Sequence, residues 1–164
     1  MTRHRLHNDD WGFETNCFVC EPTNDRGLRI PFFHDDDTDA VVAEFELTDV
    51  FSGAPTLVHG GVTLAVMDEA MAWACIAIGR RWAVTAETRT RFHRAVRVGS
   101  RYRVVARVLD HAGDDMRARA ELFDRRDVCR VESSATFATL GEAQAVRLAG
   151  AAVSDADRVY LRDG

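Results

Sequence analysis

Two features near the middle of the chain can do chemistry together. One is His59-Gly60-Gly61, which opens a long apolar stretch; the other is the acid pair Asp68-Glu69 inside that stretch. The first N–H groups of a helix have no intrahelical acceptor, and the helix dipole is positive there. Glycines at 60 and 61 let an oxygen approach that backbone closely, which suits an oxyanion hole. A plain loop-to-helix turn uses a Gly-Gly pair equally well. A carboxylate in an apolar helix is costly to bury unless it is paired or working. Asp68 and Glu69 are adjacent, so on a helix they point about 100° apart and at most one faces a given pocket. The other use for such an acid is an ion pair with an arginine from a neighbouring strand.

Spacing limits how the two features cooperate. Gly60 and Asp68 are eight residues apart, about 12 Å of rise on one helix. A reacting carbonyl must lie roughly 3 Å from both its oxyanion donor and its attacking group. One helix cannot place both on one carbonyl. If both act, Gly60 of one subunit meets Asp68 of the partner subunit, across two antiparallel helices related by a two-fold axis. Chemistry through this pair therefore requires a dimer with two equivalent sites.

The elements that must position these residues follow from patterning. His59–Gly79 is almost wholly apolar, rich in Ala and Met, and closed by Gly79 near its C-cap; it reads as a helix buried nearly all round. Leu28–Phe33 and Val41–Leu47 read as strands before it, with an Asp-rich turn at 34–39 and a loop at 49–57. Trp82–His93, Tyr102–Leu109, Met116–Phe123 and Cys129–Leu140 read as strands after it, joined by turns at 97–100, 110–115 and 124–127. Ala118, Ala120 and Leu122 alternate with Arg117, Arg119 and Glu121, a period of two. The order β-β-α-β-β-β-β in consecutive hairpins predicts an α+β fold, an antiparallel sheet curled around one long central helix. Residues 1–16 form a polar N-terminal segment, 17–140 the single domain, and 141–164 a short helix (Glu142–Ala152) with a frayed polar tail.

Composition excludes several classes. The chain has 164 residues, 46% apolar and 29% charged, with a formal net charge of -5. One core is expected, and the acidic balance argues against nucleic-acid binding. Every basic side chain is Arg, with no Lys, so anions would meet guanidinium forks or backbone N–H groups. Residues 1–16 carry no apolar signal region, and Asp68 and Glu69 interrupt the longest apolar run. A soluble cytoplasmic protein is expected, with no membrane or nucleic-acid partner. Cys17 and Cys20 have C-x2-C spacing, with His4 and His7 upstream. One such pair is weak support for zinc, and the segment is read as a turn that packs over the sheet, with no metal or cofactor.

The chain resembles the hotdog-fold acyl-CoA thioesterases, nearest the phenylacetate-pathway type. His59-Gly60-Gly61 leading to Asp68 carries the resemblance, with Cys17-Phe18-Val19-Cys20, Asn24 and Gly27-Leu28 as a second motif. Val84-Thr85-Ala86-Glu87-Thr88 through Phe92, then Val98-Gly99, is a third, so roughly residues 17–140 are covered. The resemblance implies hydrolysis of an acyl-CoA to free acid and CoA by a homodimer or a dimer of dimers. Asp68 would be nucleophile or general base, Gly60 the oxyanion donor, His59 and Gly61 the shape of that loop, and Thr85 a hydroxyl that helps position water. Arg89 and Arg91, on one strand face by period two, would meet CoA phosphates. Trp73 and Phe92 would line the acyl pocket or belong to the core, and Gly53 stands where some members carry Asn, with Ser52 beside it as a substitute. The chain departs from the pattern at Gly53, at Ala72 where others have Thr or Ser, and at Glu21 where Gly is usual. Two other readings remain: a dehydratase or hydratase on the same fold, and a hotdog protein that binds acyl-CoA or another apolar ligand without turnover.

Overall fold

A long helix with apolar side chains on most faces needs a cover wider than another helix. The computed structural model, which describes residues 2–11, 15–150 and 152–161, covers it with one curved sheet. In chain order the strands are β1 (Arg3–Leu6), β2 (Phe32–Asp35), β3 (Ala40–Glu46), β4 (Ser52–Ala54) and β5 (Leu57–Val58). Helix α1 (Gly60–Ala77) follows, then β6 (Ala83–Phe92), β7 (Arg101–Ala112), β8 (Asp115–Asp124), β9 (Cys129–Thr139) and helix α2 (Glu142–Ala149). The large sheet runs β1-β2-β3-β7-β8-β9-β6, every neighbour antiparallel, and β4-β5 is a separate small hairpin. Helix α1 lies on the concave face against β2, β3 and β6–β9. Met67, Met71, Met116, Leu122, Val131 and Phe137 are fully buried between helix and sheet.

Several expectations change. Strands β6 and β7 are not a hairpin: β6 pairs with β9 at the far edge, and 93–100 crosses back to bring β7 beside β3. The reason lies in α1, which carries the chain across the whole sheet before β6 begins. The strand expected at Leu28–Phe33 is found at Phe32–Asp35, because Leu28 and Ile30 donate instead to the carbonyls of Phe18 and Val19. The C-terminal segment is not frayed through 161. Val153 and Leu161 are buried, Tyr160 stacks on Trp82, and the Trp82 N–H donates to the Tyr160 carbonyl at 2.8 Å; residues 162–164 lie outside the described residues. By length and a mean hydropathy of 1.3, α1 would suffice to cross a bilayer, contrary to expectation, but here it is the core helix of a sheet.

Helix α1 is also less enclosed than its composition suggests. Gly61, Leu64, Ala65, Asp68, Ala72 and Ile76 keep access to solvent, one stripe along the helix. Strand β6 beside it is a ten-residue edge, exposed along most of its length. Unpaired strand edges are managed by covering or pairing them.

Gly79 closes the helix for a packing reason. A Cβ there would stand 2.4 Å from Met116 Sδ and 2.7 Å from the Cys75 carbonyl oxygen. The sulfur can move but the helix carbonyl cannot. Gly79→Ala should lower stability by about 1–3 kcal/mol, an overpacking cost, read as a drop in the denaturant midpoint at unchanged m. An unchanged midpoint would show that the turn relaxes freely.

Candidate active site

The start of α1 is built by its N-cap. His59 holds extended backbone, and its Nδ1 accepts the Gly61 N–H at 3.0 Å. An accepting Nδ1 places the proton of the neutral ring on Nε2. The Gly61 donor is thereby occupied, whereas the Gly60 N–H has no acceptor among the described residues. Of the two glycines, then, Gly60 is the one with a donor free to meet a ligand oxygen. Gly53 shapes the other side of the cap: a Cβ at 53 would come within 3.0 Å of His59 Cα. Its role in the structure is thus to admit His59. Ser52, beside it, is exposed at the foot of the β4-β5 hairpin, paired with Val58.

Asp68 lies two turns further along, half-buried on the open stripe. The Thr85 hydroxyl donates to its Oδ1 at 2.8 Å, and Oδ2 has no partner among the described residues. Burial pushes the Asp68 carboxyl above its ordinary range, opposed by the Thr85 hydrogen bond. Thr85 reaches Asp68 because of a bulge in β6. Thr85 is level with Phe137 and Glu87 with Thr136, so Ala86 is the extra residue. Thr85 therefore faces the helix before the bulge, and Thr88, Thr90 and Phe92 face it after. Thr90 and Thr88 both reach the Ser133 hydroxyl, at 2.8 and 3.3 Å. Glu69 points elsewhere, toward the Cys17–Cys20 turn, and burial pushes it up to about 8.

Phe92 borders Gly60, its Cζ 3.8 Å from where a Cβ on that glycine would stand, and is 48% exposed. It also lines an open groove of about 860 Å³ with Arg89, Arg91, Arg119 and Glu132. Arg119 is held by Glu121 and Glu132, whereas Arg89 and Arg91 form no ion pair among the described residues. Both are paired with outward-facing residues of β9, so they lie on the face opposite Phe92. Trp73 does not join this group. It is 3% exposed among core side chains, since its side of α1 faces the sheet and not the open stripe. A second cleft, of about 390 Å³, gathers Arg97, Arg101, Arg125, Arg126 and Arg130. Arginines in separate turns share no sequence spacing that would mark this cleft.

Within one chain, Gly60 and Asp68 remain at opposite ends of an eight-residue helical interval. Phe92 borders the first and Thr85 holds the second.

Residues 56–130, from β5 into the start of β9, match the thioesterase superfamily. A crystal structure of a thioesterase superfamily protein aligns with a TM-score of 0.66 at 21% identity, over 71% of this chain and 57% of that one. A Streptococcus mutans protein bound to acetyl CoA aligns at 0.59 and 16% identity, over 62% of this chain and 82% of its own. The E. coli PaaI protein from the phenylacetic acid degradation operon aligns at 0.57 and 19% identity, over 60% and 75%. The chain spans little more than half the length of the first of these. No curated protein matches by sequence. The fold is the hotdog fold, and the family resemblance is borne out over the matched segment.

The cap is testable by itself. His59→Ala should cost about 1 kcal/mol, as a lost N-cap acceptor does, and His59→Asn should restore most of it. Equal denaturation midpoints for all three proteins would mean that the ring does not cap the helix.

Proposed function

We propose, from the thioesterase-superfamily match over residues 56–130, that the chain hydrolyses acyl-CoA thioesters to a free acid and CoA. One observation supports this reading above the rest. A carboxylate sits half-buried on an apolar helix, oriented by Thr85 through one oxygen, with the other unpartnered among the described residues. A buried, desolvated acid with a free oxygen is suited to attack a carbonyl or to take a proton from water.

The site is completed by a second copy. The Gly60 N–H donates to the thioester oxygen, stabilising the charge that develops there. Asp68 of the partner subunit then attacks the carbonyl carbon, expelling the CoA thiolate and leaving an acyl anhydride that water opens. Alternatively it removes a proton from water, which attacks directly. Either route ends with carboxylic acid and thiol. Thr85 is a positioning residue for Asp68, and His59 with Gly61 shapes the donor loop. The open stripe of α1 and the exposed edge of β6 are the surfaces that a second copy would cover. Phe92 covers the acyl group near Gly60, and Arg89 with Arg91 receive the CoA phosphates. Pairing of dimers into tetramers stays part of the proposal, as does a cytoplasmic location, which four free cysteines suit.

A second reading has its own support. Gly53 and Ala72 stand where some members of the family the chain resembles carry an amide and a hydroxyl, and their loss favours a protein that binds acyl-CoA without turning it over. Mixed dimers separate the two. Asp68→Asn and Gly60→Pro should each abolish thiol release from a panel of acyl-CoAs. Proline is tolerated at the first helical position and removes the N–H, and the extended His59 backbone suits a following proline. Co-expressed, the two variants should recover about a quarter of wild-type activity, since half of the dimers are mixed and each has one intact site. No recovery would rule out a shared site. An active Asp68→Asn would remove Asp68 from the chemistry, and tight binding with no turnover by wild type would establish the binding protein.

The phosphate assignment is tested by substrate truncation. Arg89→Ala with Arg91→Ala should raise KM for acyl-CoA by about tenfold, leaving kcat/KM for the matching N-acetylcysteamine thioester unchanged. If Arg97→Ala with Arg126→Ala gives that pattern instead, the phosphates lie in the second arginine cleft.

A further inference from the structure

The Cys17-Phe18-Val19-Cys20 motif has no part in thioester chemistry, yet the fold invests several residues in it. The Val19 and Cys20 N–H groups both point to Cys17 Sγ at 3.4 Å. Asn24 ties the turn by donating to the carbonyls of Asn16 and Cys17 at 3.1 and 3.3 Å. Gly27 lets the chain close on itself, since a Cβ there would stand 2.6 Å from the Phe18 carbonyl oxygen. Leu28 donates to that same carbonyl at 2.8 Å. Together these residues hold two sulfurs toward α1, where Glu69 meets Cys17 at 3.4 Å.

We infer that Cys17, Cys20 and Glu69 form a binding site for one zinc-like divalent cation. One ligand atom from each lies within 4.8 Å of the others, close enough to share an ion. Two sulfurs and one carboxylate oxygen are a donor set for Zn2+, not for the hard cations Mg2+ or Ca2+. Three protein ligands leave one tetrahedral position. The Asn8 amide lies beside Cys20, its nitrogen 3.4 Å and its oxygen 3.8 Å from Sγ, and a water or a rotated amide oxygen can take that position.

Charge supports the site. Among the described residues no arginine or histidine bonds to any of the three, whereas the buried Asp35 has Arg3 and the half-buried Asp124 has Arg130. A second cluster of similar make-up, His93-Cys129-Glu132, shows the contrast. There Glu132 is held by His93 and Arg119, each at 2.8 Å, so its charge is already met. Neither upstream histidine is within the 4.8 Å group. His4, on β1, is bonded to Asp36, and the third ligand comes from 52 residues beyond Cys17.

The reduced full-length protein, stripped with chelator, should be titrated with Co2+ and then Zn2+. One equivalent of Co2+ should give tetrahedral visible bands and a sulfur-to-cobalt charge-transfer band of two-thiolate intensity, both lost on adding Zn2+. Cys17→Ser or Cys20→Ser should halve or abolish the charge-transfer band, Glu69→Gln should lose the tetrahedral spectrum, and Cys129→Ser should change nothing. A wild-type protein that gives no thiolate–cobalt band overturns the site whatever the variants do. So does a band that survives the paired cysteine change or disappears with Cys129→Ser, and an unchanged Glu69→Gln spectrum overturns the three-ligand assignment. The readout is spectroscopic, so the result does not depend on whether the chain hydrolyses thioesters.

Discussion

A helix of eighteen residues carries two adjacent acids through the middle of an apolar core, and the surrounding structure is arranged around that conflict. Most of α1 is covered by the concave face of the sheet, which removes its apolar surface from water. The same burial makes ionised Asp68 and Glu69 costly. Adjacent helical residues diverge in direction, so the two acids meet different neighbourhoods. Asp68 emerges on the open stripe under Thr85, and Glu69 turns toward the Cys17–Cys20 loop. Each acid is thus met by a group from far away in the chain, one from β6 and one from the N-terminal turn.

The sheet order serves this arrangement. Because α1 spans the sheet before β6 begins, β6 takes the outer edge and runs antiparallel to the helix. Phe92 then comes beside Gly60 and Thr85 beside Asp68, the two ends of one helical interval. A single chain separates these ends, and its edge strand and open stripe lie on the side where both are exposed.

Local features were legible in the sequence where one short stretch carries them. His59-Gly60-Gly61, the long helix and the acid inside it read directly, as did the alternation of β8. Thr85 was legible only through resemblance, since a strand hydroxyl by itself says nothing about its partner. Trp73 could be pocket wall or core by sequence, because an apolar residue on a helix looks the same whether it faces a pocket or a sheet; it is buried with the core. The pairing of β6 with β9 and the contact of Cys17 with Glu69 were illegible for a common reason: both join segments whose separation leaves no periodic trace. Gly79 looked like a helix stop, and its real constraint is the close approach of the Cys75 carbonyl, which no spacing in the sequence displays.

The bulge at Ala86 divides β6 into two halves of opposite phase. The half before it orients the acid, and the half after it carries the groove wall and the outward arginines. Because Ala86 is level with no residue of β9, substitutions downstream alter what the groove holds without rotating Thr85 away from the helix. One residue without a register partner thus lets a single strand present Thr85 to the helix at one end and Arg89 and Arg91 to the opposite face at the other.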